Sequence, residues 1–151
     1  MTALSLPGER TSGVMICYES LYGNFSRTAV SDGAEFLSVI TNDGWWGDTP
    51  GYRQHFRFAA LRAIEYRRDV VHAANTGISG IIDQRGDVLV RTPWWVETSF
   101  NATIQCSKKI TPFVKWGDLT GLTACYCFIG MLIMLLIFCV SGKRCGSGIS
   151  A

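Results

Sequence analysis

The chain has 151 residues, with 14 basic and 12 acidic side chains and 48% hydrophobic residues. That length supports one domain with a real core and falls short of two. The near-neutral charge lacks the basic footprint of a nucleic-acid binder, so no nucleic-acid partner is expected.

Read from the N-terminus, "GVMICYES" (13–20) is a short buried strand, Val14 to Cys17, that ends on polar residues. Cys17 reads in two ways. It is either a small core hydrophobe or a nucleophile on a sharp strand-to-helix turn, where the Tyr18 N–H can face a developing oxyanion. A thiolate also needs a base or a positive charge nearby. Glu19 can orient or polarise a substrate, or cap the helix that follows.

"AEFLSVIT" (34–41) is a second strand, and "NDGWWGDTPG" after it is a loop. Trp45 and Trp46 in that loop suggest a ligand-binding or lipid-facing lid, or else a plug folded over the core. Residues 52–69 repeat apolar side chains at helical spacing just after Pro50. His55 opens this helix and His72 lies in an apolar strand. Each reads as a structural hydrogen-bonding residue ahead of a catalytic base.

"VVHAANT" and "SGIIDQ" are strand-like runs around Thr76-Gly77, and Arg85-Gly86-Asp87 is a turn into the strand "VLVRT". "TSFNATIQC" (98–106) is a further strand by alternation, which also places Cys106 in a strand. Strands, one long helix, then hairpin-like strands predict an α/β layer structure. The sequons at Asn24 and Asn101 are three-residue matches that carry no function.

Residues 108–118 form a linker in which Trp116 suits a membrane interface. From Leu119 to Gly142 there is no charged side chain, a stretch long enough to span a hydrocarbon core of about 30 Å as a helix. Lys143 and Arg144 favour a cytoplasmic C-terminus, and Lys108, Lys109 and Lys115 weaken that bias. The six cysteines make neither a disulfide framework nor a zinc spacing, and no metal or cofactor is expected. "MTALSLPGERTSG" has no basic start or apolar h-region, so no signal peptide is expected. With one late hydrophobic helix, either the globular part is cytoplasmic or membrane segments precede it.

Taken together, "MICYES", "ITNDGWWG", "RQHFRFAALRAIEYRR", "ANTGISGIIDQRGD" and the hydrophobic helix resemble the C-terminal part of the apolipoprotein N-acyltransferases. These are bacterial membrane members of the nitrilase (carbon–nitrogen hydrolase) superfamily. The resemblance runs from about Gly13 to Val140. It implies the C-terminal half of a nitrilase-type α-β-β-α sandwich followed by one transmembrane helix. The expected layout is a stub (1–12), a partial nitrilase-like domain (13–107), the linker (108–118), the membrane helix (119–142) and a tail (143–151).

The implied activity moves an acyl chain from a membrane phospholipid, through a cysteine thioester, to the N-terminal amine of a diacylglyceryl-modified lipoprotein. The resemblance makes Cys17 the nucleophile, the Tyr18 N–H an oxyanion donor and Glu19 the acidic residue supporting the site. Trp45 and Trp46 become the loop aromatics near the lipid entrance. The implied location is the bacterial inner membrane with the catalytic domain on the periplasmic side. The superfamily triad also needs a glutamate and a lysine upstream of the cysteine. The 16 residues before Cys17 hold no lysine and only Glu9 as an acid. The expectation is therefore an incomplete, inactive fragment whose other half lies upstream. Two further readings stay open: a membrane-tethered amidase acting on small amides, and a membrane-anchored binding module.

Overall fold

The computed structural model describes residues 3–8 and 10–145, with side chains described as far as Val140; Glu9 and the tail from residue 146 lie outside the described residues. The chain divides into two compact units, residues 1–117 and 118–151.

The first unit is built on a six-stranded mixed sheet in the order β1-β2-β3-β4-β5-β6. The strands are β1 (Ala3–Leu6), β2 (Arg10–Ile16), β3 (Phe36–Thr41), β4 (Val70–Ala74), β5 (Gly80–Ile82) and β6 (Val88–Arg91). β2, β3 and β4 run parallel, and the remaining pairs are antiparallel. Parallel neighbours need a crossover. Helix α1 (Gly23–Ser31) supplies the first and helix α2 (Pro50–Tyr66) the second. α2 starts where the sequence directs: the Thr49 hydroxyl accepts the Gly51 N–H at 3.4 Å and Pro50 takes the first turn. It ends on Arg67 in the left-handed conformation, φ 50°.

Side-chain alternation along the strands divides the sheet into two unlike faces. Met15, Leu37, Val39, Val70 and Ile82 point to one face and are buried with Ala29 and Val30 of α1 and Phe56, Ala59, Ala63 and Tyr66 of α2. On the other face Ile16 pairs with Ile40, which pairs with Ala73. Ile16 is 63% exposed and Ile40 53%. Such an apolar row favours association. The detergent-solubilised chain is expected to self-associate with rising concentration, and Ile16→Lys with Ile40→Lys to reduce this. Light scattering that is independent of concentration in the unmodified chain contradicts that expectation.

Two local expectations change, while α1 between β2 and β3 is the helix that a strand-to-helix turn at Cys17 requires. Residues 3–6, in the stretch read as a stub, pair as β1 with β2. Residues 98–106 make no strand, and Cys106 is exposed. There the Gln105 N–H goes to the Asp69 carboxylate at 2.6 Å, and the Ser107 N–H to the Glu35 carbonyl at 3.0 Å. Alternating side chains do not make a strand when the backbone donors find isolated acceptors in place of a ladder. Buried Arg68 anchors the same region by donating to the Ala34 carbonyl at 2.8 Å and the Ser107 hydroxyl at 3.3 Å. A short helix, α3 (Pro112–Trp116), closes the first unit.

The second unit is helix α4 (Leu119–Cys145). Asp118 caps it, accepting the Gly121 N–H at 2.9 Å and the Thr120 hydroxyl at 2.7 Å. Leu119–Val140, 22 residues with a mean hydropathy of 2.5, is long and apolar enough to cross a membrane. The side chains of Lys143 and Arg144 lie outside those described.

Candidate active site

β2 stops at Ile16, and Cys17 opens a 3-10 turn, Cys17–Leu21, with φ 52°. A non-glycine residue in the left-handed region costs roughly 1–2 kcal/mol and persists only where its surroundings hold it. Here the turn is held from several directions. The Glu19 carboxylate accepts the Ile16 N–H at 2.7 Å, which closes the turn from outside. The Cys17 carbonyl accepts the Ser20 hydroxyl at 2.9 Å and lies 3.0 Å from His55 Nε2. The Cys17 thiol is free and partly exposed.

His55, from the second turn of α2, is buried and carries the contact further. Its Nδ1 is 2.9 Å from Asp43 Oδ1, which also accepts the Thr41 hydroxyl at 2.8 Å. Burial pulls the His55 pKa down, but hydrogen bonding and charge from Asp43, with the Cys17 carbonyl, more than offset it and leave it above its ordinary value. Burial raises Asp43, yet the bonds from His55 and Thr41 and the nearby histidine charges bring it below its ordinary value. His72, on β4, is pushed down to about 4 by burial and then by the charge of His55.

Asp43, His55 and His72 bring one donor atom each to within 4.8 Å of one another, the only such grouping among the described residues. His55 Nδ1 is already committed to Asp43. The atoms without a protein partner are Asp43 Oδ2 and His72 Nε2, fewer than the three protein ligands that catalytic zinc sites use. The cluster fits a buried ion pair better than a metal centre.

The aromatic loop lies against this turn. Tyr18 makes ring contacts with Trp45 at 5.8 Å and Trp46 at 5.9 Å, and the two indoles stack at 4.6 Å. The two tryptophans differ in their surroundings. Trp45 is 63% exposed, while Trp46 is partly buried against the core. Trp46 lies so close over Gly51 that a Cβ there would overlap its ring. Gly51→Ala is therefore expected to displace Trp46 and cost about 1–3 kcal/mol, read as a lowered thermal midpoint; an unchanged midpoint contradicts this packing. A cleft of about 490 Å³ is lined by Asn75, Thr76, Ser79, Trp95 and Glu97 among others.

All five residues singled out in the sequence thus gather around the end of β2. Sequence reasoning missed Ser20, Asp43 and the way His55 joins them. Asp43 reads locally as part of an Asn-Asp-Gly turn, and only its burial shows otherwise.

The sequence pattern of the carbon–nitrogen hydrolases matches residues 2–109. The chain is 42% identical over 107 residues to the apolipoprotein N-acyltransferase of Bdellovibrio bacteriovorus, covering 70% of this chain and 20% of that protein. It is 34% identical over 128 residues to the enzyme of that name from Pasteurella multocida, covering 85% and 23%. The chain thus spans about a fifth to a quarter of the length of these relatives. In solved structures, a carbon–nitrogen hydrolase from Helicobacter pylori superposes with a TM-score of 0.53 at 15% identity, covering 60% of this chain and 39% of the other. An amidase from Nesterenkonia sp. gives 0.50 at 20% identity, covering 61% and 39%. At such identities the likeness is one of fold: a nitrilase-type mixed sheet with helices.

Proposed function

The chain belongs to the carbon–nitrogen hydrolase family, and on that footing we propose that it carries the nucleophile region of an apolipoprotein N-acyltransferase. The Cys17 thiolate attacks an ester carbonyl of a phospholipid. The C–O bond breaks, and the lysophospholipid leaves with a proton. The N-terminal amine of a diacylglyceryl-modified lipoprotein then attacks the thioester. The C–S bond breaks, the amine gives up a proton and the thiolate returns. A thioester divides one difficult acyl transfer into two easier ones.

In this reading the Tyr18 N–H stabilises the oxyanion, Glu19 keeps the turn closed and Trp45 and Trp46 meet the acyl chains. Helix α4 holds the domain at the bacterial inner membrane, with the catalytic part on the periplasmic side. The observation that carries the proposal is Cys17 in a left-handed strand-to-helix turn whose next residue, Tyr18, meets the exposed Trp45, within a segment 42% identical to an apolipoprotein N-acyltransferase.

The triad glutamate and lysine implied by the resemblance stand upstream of the nucleophile, so the assignment is tested inside a full-length relative. The test is a chimera in which residues 13–140 replace the matching segment of the Bdellovibrio relative. Acyl transfer to a diacylglyceryl peptide by the chimera is the expected result. A folded chimera without transfer contradicts the assignment.

A further inference from the structure

The strained nucleophile turn is fastened to the aromatic loop through one buried side chain. His55 touches two groups that can only accept: the Cys17 carbonyl at 3.0 Å from Nε2 and the Asp43 carboxylate at 2.9 Å from Nδ1. A neutral imidazole has one N–H and can serve only one of them. The imidazolium serves both, its Nε2–H shared between the Cys17 carbonyl and the Ser20 hydroxyl oxygen 2.9 Å away, whose own hydrogen goes to that carbonyl. His72 does not compete. Its Nδ1 faces the Ile78 carbonyl at 2.9 Å and so carries the hydrogen of a neutral ring. The titratable groups facing His55 are Asp43 from the loop after β3, His72 from β4 with rings 5.5 Å apart, and Tyr18 from the turn at 5.9 Å, next to Cys17.

We infer that Asp43 and His55 are positioning residues for the reaction at Cys17: the ion pair holds the Cys17 carbonyl, and with it the left-handed backbone that presents the thiol, and loss of the His55 proton releases the turn. The role in a reaction rests on the acyl-transfer reading above; the clamp itself does not. Asp43 N–H donates to the Thr76 carbonyl at 3.0 Å and its own carbonyl accepts the Trp46 N–H at 3.1 Å. The loop that carries the tryptophans therefore shares its anchor with the nucleophile.

The raised pKa of His55 sets the direction of the pH effect. Its contribution is full below the ordinary histidine value of 6.5 and is lost as pH rises through its higher folded value. Asp43, lowered, contributes above its ordinary 3.8 and is lost as pH falls through its lower folded value.

The experiment is amide hydrogen exchange of the whole chain in detergent, comparing residues 16–21 with β3 as an internal control. After correction for intrinsic exchange, protection of 16–21 is expected to fall about ten-fold from mildly acidic to mildly alkaline pH, while β3 stays constant. Asp43→Asn moves that fall to lower pH. His55→Gln, which keeps an N–H for the Cys17 carbonyl but cannot titrate, keeps protection and abolishes the pH dependence; a residue that merely fills space would do neither. Flat protection in the unmodified chain, or an unchanged pH dependence in His55→Gln, overturns the inference. If Asp43→Asn does not fold, the unmodified chain still decides. Exchange does not require acyl transfer, so an inactive chimera with a pH-dependent turn would sink the function and leave the clamp standing.

Discussion

Cys17→Ala in the chimera with the Bdellovibrio relative is expected to lower acyl transfer by about 10⁴-fold or more, the scale on which removal of a catalytic nucleophile acts. The loss follows from the chemistry: without the sulfur no thioester forms, and the amine must attack a phospholipid ester directly. Cys17→Gly gives a sharper result, because the two consequences of the turn act in opposite directions. Glycine adopts φ 52° without the penalty that cysteine carries. Transfer is expected to disappear while the thermal midpoint stays the same or rises. A Cys17→Gly chimera that loses activity only because it unfolds would count against the strained turn. Retained transfer in either variant would remove Cys17 from the mechanism.

The second large effect concerns the sheet. Leu37→Ala is expected to destabilise the first unit by about 2–5 kcal/mol, since Leu37 is fully buried between β3 and the helices. Ile40→Ser, three residues along the same strand, is expected to cost about 0.5 kcal/mol or less, because Ile40 is 53% exposed. Chemical denaturation in detergent, followed by backbone circular dichroism, measures both. Equal costs at the two positions would mean that both faces of the sheet are covered, against the exposed row of Ile16, Ile40 and Ala73.

Much of this architecture was legible because local and tertiary preferences agree. The apolar runs at β3 and β4, Pro50 at the start of α2 and the charge-free stretch from Leu119 each point to one structure. β1 and residues 98–106 were harder. β1 has only four residues and is mostly exposed, and its pairing with β2 depends on the Pro7-Gly8 turn, with Gly8 at φ 86°. Residues 98–106 have strand alternation, but their backbone donors are taken by the Asp69 side chain and the Glu35 carbonyl.

The candidate site divides in the same way. Cys17, Tyr18, Glu19, Trp45 and Trp46 stand in contiguous motifs and could be named at once. The Asp43–His55 pair joins a loop to a helix, and its members look ordinary in sequence. Neither the burial of Asp43 nor the commitment of both His55 nitrogens has any local signal. Glu19 shows how geometry refines a role: it accepts the N–H of Ile16, so its contact in this structure is with the turn that carries the nucleophile.

The central claim is that Cys17 carries the acyl chain. The most direct measurement is mass spectrometry of the chimera after incubation with phospholipid and no acceptor, with peptides mapped under conditions that preserve thioesters. One acyl group on the peptide containing Cys17, released by hydroxylamine and absent in Cys17→Ala, is the predicted result. An acyl group on another cysteine, or transfer that proceeds with Cys17 unmodified throughout, would contradict it.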